Sequence, residues 1–482
     1  MSVTHIRNYI GGKLVDPVSG NWIPNYEPAT GTVYSQVPDS NNQDVAAAVD
    51  AAESALHDWS HRSADERADV LHRVADLIDQ NREELVAIES RDNGKPENLA
   101  RMIDIPRCSK NIRFFANLAM GMASESHSMP DAINYTLRQP VGIVTCISPW
   151  NLPLYLFTWK IAPALAAGNC VIGKPSEVTP MSAYRFSELC IEAGLPEGVL
   201  NIVHGSGTVT GNALLDEPRI AAVSFTGSTQ TGKHIASVVS PQFKKLSLEL
   251  GGKNPNLVFA DCNYEPMLET TLKSSFANQG QICLCGSRIL VEQSIYDQFR
   301  DDFVQRASQI KVGDPQAADS VLGAVVSQPH HQKILDCIEL ARSEGGNVLC
   351  GGAAATIGGR CQNGWFIQPT VIDGLPNDCQ TNQQEIFGPV VTLQPFESDE
   401  HALQLANDTT YGLSATVWTQ DVSRANWMGS RLNCGVVWVN CWLIRDLRTP
   451  FGGYKQSGVG REGGLEAMRF FTETKNVCIK YL

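Results

Sequence analysis

A doubly wound α/β fold is what this sequence predicts, and three observations carry that expectation. Short apolar runs, IVTCIS, NCVIGK, VLNIVHG, AAVSFTG and KLSLEL, recur from Gly142 to Leu250. Helix-compatible stretches such as Ala183 to Ala193 and Thr229 to Val238 lie between them, the alternation expected of βαβ units around a parallel sheet. At 482 residues the chain also exceeds what one hydrophobic core usually supports, so two or three domains are expected.

The first hundred residues read as mainly helical after an initial extended segment. Ser63-Ala64-Asp65-Glu66 is a capping box, and Val70, Leu71, Val74, Leu77 and Ile78 follow on one 3.6-period face, predicting a helix from about Asp65 into the 80s. A second α/β series begins near Lys253 and continues through SRILVEQ and GVVWVN. No repeat, low-complexity tract or long linker separates the two series.

Composition narrows the function. The formal charge of -13 disfavours a nucleic-acid partner, and no stretch approaches the ~18 apolar residues of a membrane span. The start, MSVTHIRNYIGGKLVD, lacks a basic leader with an apolar core, so a cytoplasmic protein is expected. The 14 cysteines show no metal-ligand spacing; Cys283 and Cys285 form a C-x-C, and no metal site is expected.

One turn and two strand ends carry groups suited to chemistry. Cys283 follows the glycine-bearing turn Asn278-Gln279-Gly280, where a thiol can be presented from exposed backbone. Glu249 closes the KLSLEL run just before Leu250, Gly251 and Gly252, two glycines that allow close approach of a ligand. Asn151 in Ser148-Pro149-Trp150-Asn151 can aim an amide at a developing oxyanion. Each also has a plain structural reading: a buried thiol, half of an ion pair, a helix N-cap.

Taken together, SPWNLPLYLFTWKIAPALAAGN, GKPSE, SFTGS, LELGGKNP, GQIC, QEIFGP and PFGGYKQSGVGRE resemble, in order and spacing, the motifs of the aldehyde dehydrogenase superfamily. The resemblance runs from about residue 141 to 470. It implies a Rossmann-type cofactor domain (1–121 and 141–251), a catalytic domain (252–451) and a small β bridging element (122–140 and 452–482) that joins subunits of a dimer or tetramer. It further implies Cys283 as nucleophile, Glu249 as general base and Asn151 as oxyanion donor, acting on an aldehyde with NAD.

On the cofactor side the resemblance implies roles for Ile147, Ser148, Pro149 and Trp150, for Lys174, Ser176 and Glu177, and for Gly207 and Gly211. It adds Phe225, Thr226, Gly227 and Ser228, then Leu250, Gly251, Glu385 and Phe387. A carboxylate at Glu177 would repel a 2'-phosphate, favouring NAD over NADP. The compact G-x-G-x-x-G signature is missing, and Gln384 stands where relatives usually have Glu.

The segment NCWLIRDLRTPFGG looks like that of the muconic semialdehyde dehydrogenases, the 2-aminomuconate and 2-hydroxymuconate 6-semialdehyde enzymes of aromatic and tryptophan (kynurenine) catabolism. Arg445 in an apolar tunnel wall is expensive unless an anion pairs with it, and Arg107 is a second candidate for the same substrate carboxylate. Trp159, Leu152, Ile282, Leu284 and Phe451 are expected to complete the tunnel. Against this stands the plain reading that Arg445 pairs with Asp446 or another local acid. Other readings of the whole chain are a broad or retinal-type aldehyde dehydrogenase, a CoA-acylating variant, and a catalytically silent structural protein.

Overall fold

The computed structural model describes residues 3–482. Five parallel strands form the heart of the first sheet: Ile143–Ile147, Cys170–Lys174, Leu200–Ile202, Ile220–Thr226 and Lys245–Glu249. Numbered in chain order their spatial order is 3-2-1-4-5. IVTCI and CVIGK are buried at every position, as strands covered on both faces must be. The order reverses between Ile143–Ile147 and Ile220–Thr226, which pair in parallel from Ile143↔Ile220 to Ile147↔Phe225. The two loops leaving these strands therefore diverge and open a crevice at their carboxyl ends.

Antiparallel strands extend both edges of this sheet. Asn8–Ile10 and Lys13–Val15 add beyond Leu200–Ile202, and Gly458–Val459 adds beside Lys245–Glu249. The last pairing departs from the expected bridging span of 452–482. Ser457 anchors that return, its carbonyl accepting from the Leu250 N–H at 2.9 Å and its hydroxyl donating to the Gly251 carbonyl at 2.7 Å. The stretch around residue 458 thus belongs to the first sheet, because it must close over Glu249.

A second, seven-stranded sheet runs from Pro255–Val258 to Val436–Val439. All its pairings are parallel except Asn347–Cys350 with Thr370–Asp373. A separate antiparallel sheet joins Ser126–Ser128, Ala132–Pro140 and Thr472–Lys480, with mostly exposed residues on the last strand. The first 38 residues contribute a further small sheet, Thr4–His5, Trp22–Glu27 and Thr32–Pro38. The capping box at Ser63 starts the helix Ala64–Gln80 as read, its hydroxyl accepting from the Glu66 N–H. Among the described residues, no helix is long and apolar enough to cross a membrane.

Candidate active site

The crevice at the switch point holds about 270 Å³ and is walled by Ile147, Ser148, Pro149, Trp150, Lys174, Ser176, Glu177, Gly207, Gly211, Phe225, Thr226, Gly227 and Ser228. Ser228 caps the helix Thr229–Val239, whose free N–H groups and positive dipole end face the crevice, a seat for a phosphate. Lys174 Nζ lies 3.3 Å from Glu177 Oε2. Burial works against the charge of Glu177, but Lys174 and the Gly207 N–H hold it below the usual carboxylate range. Asn212, Leu215, Thr231, His234 and Ile235 complete the wall and were not anticipated. Thr231 and Ile235 sit three and seven residues after Ser228, on the helical face that the cap already defines.

Leu250, Gly251, Glu385 and Phe387 lie beyond this crevice. Glu385 Oε1 accepts from the Gly252 N–H at 2.9 Å, and a Cβ on Gly251 would collide with the same carboxylate. Phe387 has a left-handed backbone (φ 62°), and its ring meets the edge of Trp150 at 5.2 Å. His330 Nε2 is 2.8 Å from the Phe387 carbonyl; burial lowers its pKa to about 4, so the neutral ring donates this bond. Glu385 and Phe387 share a small chamber with Cys283.

Cys283 faces two spaces, that chamber and a cavity of about 420 Å³ on its other side. The turn before it is left-handed at three successive residues, Asn278 (φ 51°), Gln279 (57°) and Gly280 (70°). Two of these are not glycine, a strained arrangement that the surroundings must hold. The Gln279 amide donates to the Ala324 carbonyl at 2.8 Å, and Gln281 Oε1 accepts from the Val326 N–H at 3.1 Å. Asn254 donates to the carbonyls of Cys283 (2.7 Å) and Cys285 (2.9 Å), fixing the loop on the other side. Burial pushes the Cys283 thiol up, with the Glu385 and Glu249 charges adding to the effect.

Glu249 opens into the same cavity as Cys283. Neither of its carboxylate oxygens has a hydrogen-bond partner among the described residues. Burial, reinforced by Glu462, raises its pKa well above the usual carboxylate range. Gly452 is required beside it, since its φ of 151° disfavours any side chain and a Cβ there would stand 2.9 Å from the Gly460 carbonyl. Asn151 does not line the cavity wall; it is buried just behind, its Nδ2 donating to the Gln281 carbonyl at 3.0 Å. An amide has two N–H donors, so one remains after that bond.

Arg107, Arg445, Trp159, Leu152, Ile282, Leu284 and Phe451 all line the cavity. Both arginines lie against the Trp159 ring: Arg445 Cζ is 4.5 Å and Arg107 Cζ 5.8 Å from its centroid. Arg445 also sits 3.9 Å from the Phe451 ring. The Arg445–Asp446 pair is absent among the described residues, because Asp446 binds Arg448 instead, at 2.6 Å and out in solvent. Arg445 Nε and Nη2 and Arg107 Nη2 are buried without a hydrogen-bond partner among the described residues. Burial lowers the Arg445 pKa, and the nearby Arg107 charge lowers it further.

Several cavity residues escaped the sequence reading. Met102, Ile103 and Pro106 share the wall with Arg107, and Tyr155 precedes Trp159 by one helical turn. Tyr155 and Ile103 each lie four residues before a residue already singled out, which was the available signal; Met102 and Pro106 do not share that period. Glu462 is the acid of GVGRE; it accepts from Lys160 and from Trp159 Nε1, both at 2.7 Å, and so is already paired.

The chain belongs to the aldehyde dehydrogenase family, whose model matches residues 14–477. It is 48% identical to the 2-aminomuconic semialdehyde dehydrogenase of Bos taurus, over 99% of this chain and 98% of that one. It is 43% identical to the 2-hydroxymuconic semialdehyde dehydrogenase of Pseudomonas sp. (strain CF600), over 98% and 99%. Among solved structures, the NAD+ complex of an aldehyde dehydrogenase from Bacillus cereus aligns with a TM-score of 0.96 at 38% identity, covering 99% of this chain and 96% of that one.

Proposed function

We propose that this protein oxidises a muconic semialdehyde, bearing a 2-amino or 2-hydroxy group, to its dicarboxylate with NAD. The observation that carries the substrate class is the pair of arginines around Trp159, with donors left free in a cavity that also holds Cys283 and Glu249. A buried guanidinium without an acceptor is costly, and a substrate carboxylate would satisfy both. The relatives named above act on such semialdehydes by name, which agrees with this reading.

The crevice and the chamber beyond it fit a dinucleotide: in the crevice a capped helix end for the pyrophosphate and Lys174 and Glu177 for ribose hydroxyls, in the chamber Glu385 for the second ribose. Held by these residues, NAD would supply the hydride acceptor for the carbon attached to sulfur. Cys283, its proton released to solvent in the cavity, attacks the aldehyde carbon as the thiolate, and its own N–H with the free donor of Asn151 stabilises the oxygen that becomes negative. Glu249, with no fixed partner among the described residues, is free to take a proton from water, which then cleaves the thioester. Arg107 and Arg445 hold the far carboxylate, which fixes the aldehyde end toward Cys283. We further read the protein as a cytoplasmic homo-oligomer, a dimer or tetramer, using the sheet of Ala132–Pro140 and Thr472–Lys480 as the bridging element.

A panel of aldehydes with purified protein tests the proposal. Hydroxymuconic semialdehyde should exceed an uncharged aldehyde of equal length in kcat/KM by at least about 10², the scale of a buried charge pair. Cys283→Ser should remove oxidation of every member. Comparable rates on all aldehydes would refute the substrate class, and an active Cys283→Ser enzyme would refute the mechanism.

A further inference from the structure

A buried lysine that the mechanism does not use touches the loop of the oxyanion donor. The helix Arg82–Asn93 ends at Gly94, whose left-handed backbone (φ 85°) turns the chain sharply and sends Asn93 and Lys95 inward, both fully buried. Asn93 Nδ2 donates to the Trp150 carbonyl at 2.9 Å. Lys95 Nζ donates to the Asn151 carbonyl at 3.1 Å and pairs with the buried carboxylate of Asp104. The Asn151 carbonyl also accepts from Asn278 at 2.9 Å, while the Asn151 side chain donates to Gln281.

These bonds close into a ring. The Ala324 N–H donates to the Gly94 carbonyl at 2.9 Å, and the Ala324 carbonyl accepts from Gln279 of the turn before Cys283. One short turn, residues 93–95, therefore grips the Asn151 loop directly and the Cys283 turn through Ala324. Asp104 closes a π-helical turn, Ala100–Asp104, three residues before Arg107, and itself lines the substrate cavity. Such turns recur where a helix is reshaped for function.

Stability alone is a poor reason for this lysine. Replacing a buried ion pair by apolar groups of similar shape is often neutral or favourable. We propose that Lys95 is a positioning residue: it fixes the main chain of Asn151 so that the amide presents its free hydrogen to the oxyanion, and Asp104 ties that clamp to the helix bearing Arg107. Glu89, with Asp104 the other acid facing Lys95, stands in the same pocket and accepts from the Leu154 N–H at 3.3 Å. The inference rests on the reading of Asn151 as oxyanion donor.

The test is a double-mutant cycle on the first-turnover rate of NADH formation, using Lys95→Met, Asn151→Ala and both. Asn151→Ala should slow that step by about 10²–10³. Lys95→Met should slow it roughly tenfold in the native background, with KM for NAD unchanged, and by less than about twofold once Asn151 is Ala. Full multiplication of the two losses would overturn the clamp while leaving Asn151 as donor. An undiminished Asn151→Ala enzyme would instead overturn the reading of Asn151. If Lys95→Met does not fold, Asp104→Asn enters the same cycle, and independence from Asn151 overturns the proposal equally.

Discussion

The cofactor crevice and the aldehyde cavity differ in how their charges are treated. In the crevice Lys174 and Glu177 answer each other and Ser228 caps its own helix. In the cavity Glu249, Arg107 and Arg445 keep polar atoms without partners among the described residues. In the first the charged groups are already paired. On the proposed function the second stays costly until its substrate arrives, which would place specificity in the groups it leaves unsatisfied.

If the cavity's open groups serve chemistry, removing them should cost far more than altering a paired group in the crevice. Glu249→Gln should lower steady-state turnover by about 10²–10⁴, as for loss of a general base, while the first turnover of NADH survives. Loss of the first turnover as well would place Glu249 earlier in the reaction. The sign of the pH effect follows from its environment. A carboxylate raised by burial and by Glu462 ionises late, so hydrolysis should increase as pH rises through that raised value. Glu462→Gln should move this limb to lower pH, seen in a kcat profile; an unmoved or opposite shift would contradict the coupling.

The crevice should respond mildly. Glu177→Ser should relax the preference for NAD over NADP by about fivefold, the scale of one partly exposed charge contact. A larger loss of NAD binding than of discrimination would mean that Glu177 organises the crevice rather than screening the ribose.

The same contrast explains what could be read from the sequence. SPWN, GKPSE and SFTGS are contiguous motifs at the ends of apolar runs, so the resemblance carried the crevice residues over position by position, and the strand pattern put their loops at one end of the sheet. The cavity is assembled from distant segments. Tyr155 was recoverable only by extending the helical period from Trp159, while Met102, five residues before Arg107 in a π-helical turn, follows no such period. The choice of Asp446 between Arg445 and Arg448 depends on which side chain turns inward, which neighbouring positions do not reveal. Lys95 was invisible for another reason: its partner carbonyl lies 56 residues away. In sequence, Asp92-Asn93-Gly94-Lys95 reads only as a polar helix end. The return of Gly458 to the first sheet was likewise hidden, because two paired residues leave no periodic signal.

The most direct measurement compares Arg445→Ala with the native enzyme on two substrates, hydroxymuconic semialdehyde and an uncharged aldehyde of equal length. Truncating one side of a buried charge pair predicts a fall in kcat/KM of about 10²–10³ on the acid. On the neutral aldehyde the change should stay within about threefold, the spread expected of a substitution that removes no pairing. Equal losses on both would contradict the assignment of the arginines to a substrate carboxylate.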